Sequence, residues 1–157
     1  MTPELTTLRM AGTDGVLEAV IATRANIFEM TQAAEDAVLR PKAPGAWPHS
    51  LRAALAARIA TLNAQTALAR HYATGAGDDA ALADPAQDGA ARGLGPVLAF
   101  MDKVAADTRQ VVAGDIAALQ AAGISDADIV RLAELNAFLA YQIRVVAGLR
   151  LLREARA

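Results

Sequence analysis

Residues 50–74 constrain the fold more than any other stretch. With about 100° of rotation per residue, Leu51, Leu55, Ile59 and Leu62 fall on one face of a helix. Ala53, Ala57, Ala60, Ala64, Ala67 and His71 fall together on a nearly opposite face. A helix with two apolar faces has to be sandwiched between other elements. The chain is therefore expected to fold as a bundle around this segment. No stretch alternates with the period of a strand, so the predicted class is all-α.

The flanking segments read the same way. Thr13 or Asp14 can cap a helix that runs to about Leu39, with Val16, Val20, Ile27, Met30, Ala34 and Val38 as its apolar stripe. The prolines and glycine between Pro41 and Pro48 stop it. Residues 75–89, with Gly75, Asp78, Asp79 and Asp84-Pro85, read as the most mobile loop. Helices are expected over 95–106 and 114–122, joined by a connector, and the second stops at Gly123. Ser125 then caps a last helix from Asp126 to about Glu154. Residues 1–13 read as a loose arm and residues 14–157 as a single domain.

Aromatic residues make up 4% of the chain, so its core must come from Ala, Leu, Ile and Val. Small side chains each bury little area, and a bundle built from them gains by also burying surface between subunits. A homo-oligomer is expected. The net charge of −2, with acids and bases interleaved, argues against nucleic acid as a partner. Residues 129–152 are apolar enough to raise the question of a membrane span. Arg131, Glu134, Asn136, Gln142, Arg144 and Arg150 interrupt that run, which is costly in lipid. The first four residues lack the pattern of a signal peptide, so a cytoplasmic location without a membrane is expected.

The chain has no cysteine, which removes disulfides, thiolate catalysis and thiolate metal sites together. With only His49 and His71, no metal site is expected within one subunit, and no cofactor is implied. His71 closes the alanine strip either as a satisfied structural residue or as a catalyst. Asn136, Tyr141 and Arg144 on the last helix are the ligand-binding candidates. Each has a structural counterpart: Asn136 tying helices together, Tyr141 packing in the core with its hydroxyl satisfied, and Arg144 in a salt bridge or an interface. Trp47 and His49 read as packing or capping residues, and Asp78 and Asp79 as solvated loop charges.

Residues 51–71, from Leu51-Arg-Ala-Ala-Leu to Ala-Arg-His71, resemble the core helix of the carboxymuconolactone decarboxylase / alkylhydroperoxidase D-like superfamily. Residues 115–144, with Ala-Ala-Gly123-Ile-Ser125-Asp-Ala-Asp and Asn136-Ala-Phe-Leu-Ala-Tyr-Gln-Ile-Arg144, resemble its C-terminal half, more narrowly the peroxidase-related subgroup. The resemblance covers roughly residues 14–153. It implies an alkylhydroperoxidase D-like helical bundle assembled as a dimer, trimer or hexamer. Active peroxidases of the family carry a Cys-x-x-Cys motif ahead of a histidine. With His71 in register, those cysteines fall on Ala64 and Ala67, a degenerate motif. The family's proton-relay glutamate falls near Arg52, and no acid lies between Trp47 and Tyr72.

A thiol peroxidase needs one thiol to attack the peroxide and a second to resolve the sulfenic acid, so that activity is excluded. Two functions remain. One is a non-catalytic oligomeric scaffold or small-ligand binder around His71, with an active peroxidase-family paralogue as a partner. The other is a cofactor-free, decarboxylase-like enzyme on a small carboxylated substrate, with His71 as proton donor and Arg144 holding the carboxylate.

Overall fold

The computed structural model describes residues 5–13, 15 and 17–156. Asp14 and Val16, expected at the start of the first long helix, lie outside the described residues, as do the first four. The protein is all-helical, with no strand among the described residues. Its helices are α1 (Thr6–Ala11), α2 (Glu18–Ala22), α3 (Ala25–Leu39), α4 (His49–Leu62), α5 (Thr66–Ala73), α6 (Gly95–Ala106), α7 (Ala113–Ala121) and α8 (Asp126–Glu154). Short 3₁₀ helices occupy Gly77–Ala83, Ala90–Arg92 and Thr108–Gln110.

Helix α4 is the axis of the bundle. Every residue from Leu51 to Ala60 is buried, as two apolar faces require. It packs against α3, α5, α6, α8 and the Gly77–Ala83 turn. Two arginines are buried with it, and backbone carbonyls accept most of their hydrogen bonds. Arg52 donates to Trp47 O, Val38 O and Pro44 O at 2.7–2.9 Å, fixing the chain that enters α4. Arg58 uses all five of its N–H groups: two on the Asp102 carboxylate and three on the carbonyls of Leu82, Asp84 and Pro85. The loop expected to be most mobile is therefore pinned from beneath. Asp79, expected to be solvated, is buried there and pairs with Arg92.

The N-terminal stretch expected to be a loose arm holds α1, whose Thr6, Thr7 and Ala11 are buried. Ala11, Leu17 and Phe28 form a small second core with Val146 and Leu149 of α8. Arginines of α8 cap the end of α1: Arg150 donates to Met10 O at 2.8 Å and Arg153 to Gly12 O at 2.9 Å. Gly12 closes α1 at φ +65, a left-handed position that glycine takes without strain.

The first long helix is divided into α2 and α3, and its inner face is not the expected one. Phe28, Thr31, Glu35 and Leu39 point inward, while Ile27, Met30 and Ala34 are exposed. Helices α6 and α8 keep the boundaries expected from sequence, and the Ser125 hydroxyl accepts from Asp128 N as a cap. Trp47 is buried and donates its indole N–H to Asp128 O, which ties the loop before α4 to the start of α8.

Candidate functional site

The segment read as one helix from 50 to 74 is two helices. After Leu62 the chain makes a Schellman turn: Gln65 N–H donates to Ala60 O and Ala64 N–H to Thr61 O. Ala64 takes the left-handed position of that turn at φ 56, where glycine is the usual residue. The face expected to carry Ala64, Ala67 and His71 continuously is therefore divided. Ala67 and His71 lie one turn apart on α5, and Ala64 belongs to neither helix. Both alanines are exposed. Relieving the strained φ makes Ala64→Gly stabilising by about 0.5–1 kcal/mol, read as an upward shift of the urea midpoint at unchanged slope.

His71 lines a cavity of about 170 Å³ together with Leu39, Arg40, His49, Ala53 and Tyr72. Both histidines of the chain meet at this one space, one from α5 and one from the first residue of α4. The Arg9 guanidinium lies 2.8 Å from His71 Nδ1. Arginine only donates, so Nδ1 is the accepting nitrogen and the ring proton sits on Nε2. His49 donates from Nε2 to Pro41 O at 2.9 Å. Arg40 pairs with Asp36 on the adjacent turn of α3.

The other three candidates do not join His71. Asn136 is buried and donates to the Met101 carbonyl and thioether, which ties α8 to α6. It also lines a larger cavity of about 350 Å³ between α4, α6 and α8, with Arg109 and Arg144. Arg144, read as a ligand, salt-bridge or interface residue, is exposed and donates to the Ala140 carbonyl of its own helix. Tyr141, expected in the core, is 42% exposed, and its hydroxyl is 2.9 Å from that of Thr31. It lines a third hollow, with Ile27, Met30 and Phe138. Within one chain, His71 and Arg144 line different cavities.

Sequence reasoning missed a buried polar chain directly behind the histidine cavity. The Tyr72 hydroxyl donates to Gln142 Oε1 at 2.7 Å, and Gln142 Nε2 donates to Glu35 Oε2 at 2.8 Å and to Thr7 Oγ1 at 3.3 Å. Thr6 Oγ1 donates to the other oxygen of Glu35 at 3.0 Å. Burial raises the Tyr72 pKa well above its ordinary value, and the Glu35 carboxylate adds to the rise. Residues 47–72 carry no acid, and the carboxylate of this network, Glu35, arrives from α3. The one available signal was a polar residue at core spacing: Glu35 follows Phe28 and Thr31 and precedes Leu39 on one face. No buried side-chain nitrogen or oxygen among the described residues lacks a partner. Nothing in this network is left over for a substrate. Set against protein-family models, curated proteins and solved structures, the chain matches none.

Proposed function

We propose that the chain is a cysteine-free relative of the carboxymuconolactone decarboxylase / alkylhydroperoxidase D-like superfamily, working as a non-catalytic oligomer that holds a small ligand beside His71. One observation carries this: the cavity at His71 brings two histidines and an arginine together in a chain that has no cysteine. Such a lining can hold a small molecule through hydrogen bonds. Without a thiol it cannot attack a peroxide or resolve a sulfenic acid. Tyr72 on its wall has its hydroxyl committed to Gln142. The decarboxylase alternative needs His71 and Arg144 at one substrate, and the two line different cavities. It is the weaker of the two.

The test combines turnover and binding on the purified protein. Hydroperoxide with a dithiol reductant, and a panel of carboxylated lactones, should both react at the rate of the buffer blank. Calorimetric titration with small carboxylates should show binding that His71→Ala weakens at least roughly tenfold, the loss of about 1.4 kcal/mol. Lactone turnover that disappears in His71→Ala would establish the enzyme instead. Binding that His71→Ala leaves unchanged would move the ligand to another cavity.

A further inference from the structure

One face of α8 is uncovered along most of its length, with Gly148 half-buried on it. Val130, Glu134, Ala137, Tyr141, Arg144, Gly148 and Leu151 follow one another at alternating steps of four and three, the spacing of a helix–helix seam. Val130, Tyr141 and Leu151 are 55%, 42% and 66% exposed. The helix is long and apolar enough to cross a membrane by length and composition, yet only 39% of its most apolar stretch is buried. On its flank, Ile27 and Met30 of α3 are exposed as well and form a shallow trough with Phe138 and Tyr141. The apolar stripe that sequence assigns to the core of α3 thus continues the uncovered face of α8.

We propose that this face binds a second copy of the chain, with the two α8 helices antiparallel about a twofold axis at the level of Leu139. Reversing the seam on itself at that level makes it self-complementary. Val130 meets Gly148, Tyr141 meets Ala137 and Leu151 meets Ala127, a large side chain against a small one each time. Glu134 meets Arg144, and the twofold makes that pair twice. Within one chain neither of these two takes part in an ion pair among the described residues, and both are exposed. A parallel pairing would set Glu134 against Glu134 and Arg144 against Arg144. Sliding the antiparallel pair by one turn would press both charges onto apolar residues. Burying the face in lipid would strand them without partners. Only the second copy, in this register, answers both the apolar positions and the charged ones.

The inference rests on the oligomeric part of the function proposed above and supplies its partner, face and register. Ligand binding beside His71 is measured separately, so each can fail without the other.

The absence of native cysteine makes the test clean. The double variant Glu134→Cys/Arg144→Cys, mildly oxidised, should run as a covalent dimer on a non-reducing gel. Each single variant should stay monomeric there, because its twin lies about 15 Å away along the axis. Glu134→Arg should weaken the dimer roughly tenfold by sedimentation, and Glu134→Arg/Arg144→Glu should restore it. All these positions are on the surface, so folding is not at stake. Cross-linking by a single variant would mean a parallel pair and overturn the proposal. So would a monomeric or trimeric wild type at tens of micromolar, a dimer whose double-cysteine variant never cross-links, or co-flotation of the wild type with phospholipid vesicles.

Discussion

Gln142→Leu is expected to cost about 4 kcal/mol of stability and to lower the melting temperature by roughly 10 °C. The two side chains are close in volume, so the loss does not come from a cavity. It comes from leaving Glu35 Oε2, the Tyr72 hydroxyl and Thr7 Oγ1 buried with their shared partner gone. A buried neutral group stripped of its partner costs about 1–3 kcal/mol, and a carboxylate costs more. Because the penalty belongs to the stranded partners, removing them should recover most of it. Gln142→Leu with Glu35→Leu, Tyr72→Phe, Thr6→Val and Thr7→Val, which leaves no polar group of the network stranded, is expected within about 1 kcal/mol of the wild type. The same network has a pH signature. The folded-state pKa of Tyr72 lies above its unfolded value of about 10, so its contribution is fully present below that pH. As pH rises beyond it, the unfolded chain ionises the phenol while the folded chain does not, and stability falls. Urea titrations at neutral and alkaline pH check both statements. A single-variant cost below about 1 kcal/mol would mean the network contributes little.

Arg58→Ala is expected to be comparably damaging, at about 3–5 kcal/mol, through a different part of the molecule. Its guanidinium is 2% exposed and makes bonds at 2.5–3.1 Å to one carboxylate and three carbonyls. Asp102 is partly exposed, at 31%, and water can take over much of its loss. The larger part of the cost falls on the carbonyls of Leu82, Asp84 and Pro85, which hold residues 77–94 onto α4. Two readouts should therefore move together: the midpoint of global unfolding falls, and residues 77–94 become the first site of protease cleavage in the native protein. Arg58→Lys keeps the charge but cannot reproduce a planar five-donor fork, and it should fall about halfway. Unchanged protease resistance of that segment in Arg58→Ala would show that the arginine is not what pins it.

Helix boundaries were legible where local chemistry marks them. Ser125 and Gly123 frame the start of α8, Pro96 sits in the first turn of α6, and both helices begin where expected. The break after Leu62 was invisible because an alanine occupies a position where glycine would have announced a turn. The core of α3 was misjudged because its inner face carries Thr31 and Glu35, while the more apolar stripe faces outward. Periodicity reports which residues share a face and is silent on which way that face turns. Tyr141 was misplaced for the same reason, since α8 is apolar on a side that its own chain does not cover. At the candidate site His71 was legible, but its surroundings were not. Arg9 is 62 positions away in sequence, and the docking of α1 onto α8 and α3 brings it to the imidazole.

Hydroperoxide consumption by the purified protein, followed with a dithiol reductant present, tests the proposed non-catalytic function most directly. The expected rate is that of the buffer blank, for the wild type and for His71→Ala alike. Steady turnover above the blank that His71→Ala abolishes would contradict the account, because it would place an electron-transferring centre where no sulfur exists.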